Sequence, residues 1–148
     1  MRKEDLAEKL FRDGYNCAQA VVGAFCEELN LPIETVTKMI SGFGGGIGRM
    51  RETCGAVSGM VFVLSALEGY SSPTADVEKR DLYAKTKALV SKFAEENGSI
   101  ICRELLGIKE GEKYNPVPEK RTESYYKSRS CVDSVRSATK ILADYLGK

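Results

Sequence analysis

Apolar residues recur at helical spacing along most of this chain, and the polar punctuation between them divides the run into about six helices. Leu6, Ala7, Leu10 and Phe11 follow the i, i+3, i+4 rule, and Gly14 stands where that first helix would end. Asn16 followed by Gln19 makes a capping-box pattern, and Ala18, Val21, Val22, Phe25 and Leu29 continue it as one helix to about Leu29. Beyond Pro32, the spacing of Ile33, Val36, Thr37 and Ile40 predicts a third, short helix closed by Gly42. Thr53 is the expected N-cap of the most apolar segment, Ala56 to Leu67, which carries no charge and is expected to be buried. Asp76 to Asn97 reads as a long amphipathic helix with Val77, Leu82, Tyr83, Leu89, Val90 and Phe93 inward, and Gly98 ends it. Ser99 then caps a short helix up to Gly107. The two-proline stretch from Ile108 to about Glu123 reads as an irregular loop. Ser130 with Asp133 repeats the capping-box pattern before a last helix lined by Val132, Val135, Ala138, Leu142 and Leu146.

No alternating strand pattern and no internal repeat interrupts this series. The expected fold is therefore all-α, an irregular bundle of about six helices in a single domain. One stretch belongs to no element: Gly42 to Gly48 holds five glycines in the sequence GFGGGIG, each costing about 0.5–1 kcal/mol relative to alanine in a helix or strand interior. It lacks the Gly-Lys-Ser/Thr end of a phosphate-binding loop, and no strand precedes it as a dinucleotide site would need. Missing side chains there permit either flexibility or close approach of the backbone to a ligand or a neighbouring helix.

Charge changes the picture mainly by exclusion. Twenty-two Lys and Arg against 21 Asp and Glu leave a net charge of +1 with no basic block, which argues against nucleic acid as a partner. The first ten residues alternate in charge and lack the apolar core of a secretory signal, so a cytoplasmic location is expected. The apolar run at Ala56 to Leu67 is shorter than the roughly 20 residues that span a bilayer. There is no histidine, which removes the commonest general base and neutral metal ligand.

The five cysteines carry the candidate chemistry. An odd number without a secretion signal argues against a structural disulfide framework. Cys17 follows the Asn16 cap, Cys54 follows Thr53, Cys131 follows Ser130, and Cys102 lies three after Ser99; all four fall in a first helical turn, where unpaired backbone N–H groups favour a thiolate. Cys26 reads as mid-helix and as core. There is no Cys-x-x-Cys, so ligands must converge from distant segments. Four thiolates brought together hold an iron–sulfur cluster or a zinc ion, whereas two or three form a reversible disulfide. Arg49, Arg51 and Arg103 are near Cys54 and Cys102 in sequence and would stabilise anionic charge. Gly44, Gly45, Gly46 and Arg49 are the candidates to line a bound cofactor, with the glycine loop forming one wall of the site. Cys54, at the head of the most buried helix and beside two arginines, is expected to be the most acidic thiol.

The combination Gly14-Tyr15-Asn16-Cys17-Ala18-Gln19-Ala20, Gly42 to Gly46, Cys54-Gly55-Ala56-x-x-Gly59, Cys102 and Cys131 resembles the C_GCAxxG_C_C family of redox-active proteins, over nearly the whole chain. The resemblance implies Cys17, Cys54, Cys102 and Cys131 as the functional cysteines, with no counterpart for Cys26. The family is also distantly similar to split-Soret cytochromes c, in which a cysteine-lined site is suggested to hold an iron–sulfur cluster. Haem attachment does not carry over, since the chain has no Cys-x-x-Cys-His and no axial histidine. The expected function is redox activity, as an oxidoreductase or electron carrier with a redox partner protein and room for oligomer formation. Its rivals are a cysteine-ligated metal-binding protein that stores, senses or delivers the ion, and a helical interaction module.

Overall fold

The computed structural model describes residues 1–108 and 116–148. The chain is all-α. Its described elements are α1 (Lys3–Arg12), α2 (Cys17–Ala24), α3 (Cys26–Leu29), α4 (Ile33–Met39), a 3₁₀ turn (Ser41–Phe43), α5 (Gly55–Glu68), α6 (Asp76–Asn97), α7 (Cys102–Leu105), α8 (Glu123–Ser128) and α9 (Cys131–Leu146). Among the described residues nine helices form rather than the expected six or so, and two of them were not foreseen. The helix predicted from Asn16 to Leu29 breaks at Phe25 (φ −111°, ψ 17°), and α8 arises just beyond the stretch read as loop, in residues assigned to no element. At the break, the Lys3 ammonium donates to the Ala24 carbonyl at 3.0 Å and pairs with Glu28 at 2.7 Å, so α1 satisfies the polar groups freed there. Thr122 caps α8, its side chain accepting from the Tyr125 N–H at 3.1 Å. Residues 109–115 of the predicted loop lie outside the described residues; 116–122 are non-helical as expected.

α2 and α5 pack most extensively, and α9 closes over both together with α1. Ala18, Val21 and Val22 of α2 and Ala56, Val57, Met60, Val63 and Leu64 of α5 are fully or almost fully buried. The axes come close because α5 presents glycine at Gly55 and Gly59 on one face; a Cβ at Gly59 would lie 2.9 Å from the Ala18 carbonyl oxygen and 3.1 Å from Val21 Cβ. The buried helix emerges at its end, where Leu67 is 37% exposed. α6 buries a narrower stripe than its pattern suggests: Leu82, Leu89 and Phe93 are inside, whereas Val77 and Tyr83 are exposed. Among the described residues, no helix is long and apolar enough to cross a membrane.

Charge clips the first helix to the last. Arg136 of α9 donates to Asp5 at 2.9 Å and to Glu8 at 2.8 Å. Arg2, then Arg136, hold the Asp5 carboxyl below its usual 3.8; Arg12, opposed by burial and aided by Arg136, holds Glu8 below 4.5. A carboxyl whose folded pKa is lowered contributes stability above its unfolded pKa and loses it as pH falls through the folded value. The clip is therefore complete at pH 7 and lost on acidification below about pH 4. Arg136→Gln is expected to lower the thermal midpoint at pH 7 and to approach the parent as pH falls below the usual carboxyl values of 3.8 and 4.5. A constant difference across that range, followed by circular dichroism, would assign the effect to packing instead.

Candidate functional site

The site is assembled by a short piece of backbone pairing. Among the described residues no strand forms, but Thr53 and Ile101 make an isolated antiparallel bridge. Around it the Cys54 N–H donates to the Ile100 carbonyl at 2.7 Å, the Cys102 N–H to Glu52 at 2.6 Å and the Arg103 N–H to Arg51 at 3.1 Å. The pairing sets Cys54 and Cys102 side by side although 47 residues separate them in sequence (54 and 102). Thr53 is thus not the cap of α5. Cys54 occupies the N-cap position, with no side-chain cap bond.

Cys17 reaches the same place from α2. The predicted capping box is present, with the Asn16 side chain accepting from the Gln19 N–H at 2.9 Å and the Gln19 side chain accepting from the Asn16 N–H at 3.0 Å. It starts α2 at Cys17, and the thiol lies where a Cβ on Gly55 would stand. Glycine at 55 is what allows the Cys17 sulfur to pack on the first turn of α5. Cys131 opens α9. Ser130 does not cap that helix as predicted; its hydroxyl donates instead to the Leu105 carbonyl at 3.0 Å, tying α7 to the start of α9.

Cys17, Cys54, Cys102 and Cys131 together line one cavity of about 60 Å³, walled also by Phe11, Leu105, Leu106 and Tyr125. A single water needs roughly 10–15 Å³ on this measure, so the space takes a group of several atoms. All five cysteines are free thiols. Cys26 is the first residue of α3, so all five cysteines stand at the start of a helix, and that position does not distinguish the four. What distinguishes them is direction: Cys26 is half-buried against the core and does not line the cavity.

Burial decides the acidity of these thiols. Cys54 is raised well above its ordinary 9.0, first by burial and then by the neighbouring Cys17; N–H groups of Ala56 and Val57 at the head of α5 favour the thiolate but do not overcome the loss of water. Cys131 is pushed up to about 12 by burial, with Cys17 and Cys102 adding to it. Cys102 is raised by burial against the opposing pull of Arg51, whose guanidinium donates to the Cys102 sulfur at 3.7 Å. The expectation that Cys54 is the most acidic thiol is overturned: desolvation outweighs the helix terminus.

The arginines divide by role. Arg51 faces the sulfurs; Arg103 turns away to pair with Glu52 at 3.1 Å. Arg49 lines a second, open cavity of about 310 Å³ beside the first, with Gly44, Gly45 and Glu119. Gly45, Asn16, Arg51, Arg121 and Tyr125 line both. Of the predicted cofactor-lining residues, Gly46 lines neither; a Cβ there would lie 2.7 Å from Cys102 Cβ, so this glycine is needed for close packing on Cys102. Gly44 similarly leaves room for Asn16. The loop winds left-handed, with positive φ at Gly45, Gly46, Gly48 and also at Ile47, Arg49 and Arg51. Each non-glycine residue held there costs on the order of 1 kcal/mol. The loop's amides bond its own carbonyls, as Gly48 N–H does to Gly42 and Arg51 N–H to Gly45, so the arginine side chains rather than the backbone face outward.

Arg121 and Tyr125 were missed by the sequence reading, because nothing in the polar stretch around them marks a site. Arg121 donates to the carbonyls of Phe11 (3.0 Å) and Tyr15 (3.2 Å) and stacks over the Phe11 ring at 4.4 Å, which fastens the segment before α8 across both cavities.

The family described as "Putative redox-active protein (C_GCAxxG_C_C)" matches residues 15–145, a span that contains all four cavity cysteines. An uncharacterized protein of Archaeoglobus fulgidus is 32% identical over 104 residues, covering 66% of this chain and 69% of the relative. No solved structure matches the chain.

Proposed function

The chain belongs to the C_GCAxxG_C_C family, and from that premise we propose that it is a redox protein whose Cys17, Cys54, Cys102 and Cys131 hold an iron–sulfur cluster. The observation that carries this reading is the common cavity, lined by four thiols from four separate segments and several times larger than one water. The donor set fits: four soft sulfur ligands suit iron–sulfur chemistry. Among the described residues, no three Cys, Asp or Glu side chains close on a point tightly enough to hold a single ion. Around one zinc, sulfurs about 2.3 Å from the metal would be about 3.8 Å apart. Four thiols lining a void of several waters' volume favour a multi-atom group, which Cys17, Cys54, Cys102 and Cys131 would hold. Bound there, such a group supplies one-electron transfer.

The surrounding residues support this role. Cys54 and Cys102 are only 6% and 7% exposed, which makes them poor attacking groups for thiol–disulfide exchange but suits ligands shielded from water. Arg51 offsets part of the negative charge that four thiolates would bring together.

The test is purification of the full chain without oxygen, with iron, zinc and acid-labile sulfide measured against protein. Iron and sulfide in comparable amounts, with visible absorption bleached by dithionite, are expected. A colourless protein with one zinc would turn the reading to metal storage or delivery; paired loss of thiols on oxidation, without metal, would turn it to a dithiol. Cys26→Ala is expected to keep the full iron content, since its thiol does not line the cavity. Loss of iron in that variant would mean that the ligand set is drawn wrongly.

A further inference from the structure

Above the cysteine cavity, one carboxylate holds three guanidinium groups. A single oxygen of Glu119 accepts from Arg49 at 3.4 Å, lies 3.9 Å from Arg51, and makes its shortest contact with Arg129. Arg129 beside it keeps the Glu119 carboxyl below the usual carboxylate range, so this group is charged at neutral pH. Three arginines against one glutamate leave the cluster two positive charges in excess. Arg49, Arg51 and Glu119 line the open 310 Å³ cavity, whose lining among the described residues includes Arg121 and no other acidic residue. That volume is in the range of small-molecule sites. Arg121 already spends its donors on Phe11 and Tyr15. The unspent capacity in the lining is on Arg49 and Arg51, since one carboxylate oxygen and the Cys102 sulfur do not satisfy ten N–H donors.

We infer that this cavity binds a small carboxylate or oxyanion through Arg49 and Arg51, and that Glu119, held from outside the lining by Arg129, is a built-in stand-in which the ligand displaces. Glu119 is half-exposed and belongs to the non-helical segment before α8, so it can leave without unpacking the core. The backbone strain at Arg49 and Arg51 holds both guanidinium groups toward the same space. An anion there lies next to Arg51, the residue that also touches Cys102, and therefore at the outer face of the cysteine cavity. The site is built of guanidinium groups rather than thiols, so its test and the iron measurement fail independently.

The test is calorimetric titration of the full chain at low ionic strength with inorganic phosphate and with malonate. Glu119→Gln is expected to tighten binding about tenfold by removing the internal competitor, and Arg49→Gln to weaken it about tenfold or more. Glu78→Gln, an equal change of charge on the exposed start of α6, is expected to leave binding unchanged. The stronger of the two anions identifies the ligand class. Absence of binding to either anion in parent and Glu119→Gln alike would overturn the inference. So would tightening by Glu78→Gln equal to that by Glu119→Gln, which would reduce the effect to net charge.

Discussion

Gly59→Val is expected to destabilise the protein by about 3 kcal/mol, by overpacking the α2–α5 contact. The added Cβ would stand 2.9 Å from the Ala18 carbonyl oxygen, a backbone atom that moves only with its helix, and the two γ-methyl groups would press further on Val21. Gly59→Ala separates the two effects in play. Alanine improves helix propensity by about 1 kcal/mol, so in an uncrowded helix it would stabilise. Here the same close contact is expected to outweigh that gain and leave alanine destabilising. For a chain of this length 3 kcal/mol corresponds to a fall in thermal midpoint of roughly 6–12 °C. A Gly59→Ala protein more stable than the parent would show that α2 and α5 can separate at no cost, and the close approach would lose its structural meaning.

Cys102→Ala is expected to keep the fold and lose the iron. Removing one sulfur from a buried position costs about 1 kcal/mol of apolar burial, which a domain with several kcal/mol in hand tolerates. Loss of one of four ligands lowers occupancy on the order of tenfold or more, because the remaining thiols leave one position open to solvent. Circular dichroism and iron content measured on the same anaerobic sample decide between these two effects. Full iron with native helicity would remove Cys102 from the ligand set, and would point to Cys17, Cys54 and Cys131 with an outside donor.

Much of this was legible from local rules. The capping box at Asn16 and Gln19 and the extent of α6 follow from spacing and terminal residues, and the structure reproduces both. The cysteine positions could be read as helix starts, but that reading was right for a reason that does not discriminate, since Cys26 also starts a helix. Which helix starts face one cavity depends on how the axes cross, and that is set at Gly55 and Gly59 by contacts with Cys17, Ala18 and Val21 of α2, 37 or more positions away in sequence (55 and 18 at the nearest). The acidity of Cys54 was misjudged for a related reason. Helix position and neighbouring arginines are visible in a sequence, whereas the water removed from around a sulfur is known only once the other segments have closed over it. Thr53 and Ser130 look like caps by type, yet each is engaged by a partner far along the chain: Thr53 by Ile101 and Ser130 by Leu105.

The bridge between Thr53 and Ile101, and the placement of Cys131 at the head of α9, also fix a sequence of events. A chain made from its N-terminus at about 5–20 residues per second exposes Cys17 and Cys54 seconds before Cys102 exists to pair beside them, and Cys131 later still. Until α9 docks against α1, α2 and α5, the cavity lacks a wall and its thiols face water. The full set of four sulfurs therefore exists only once Cys131 has been made and α9 has docked, so uptake of any group through all four would follow that step.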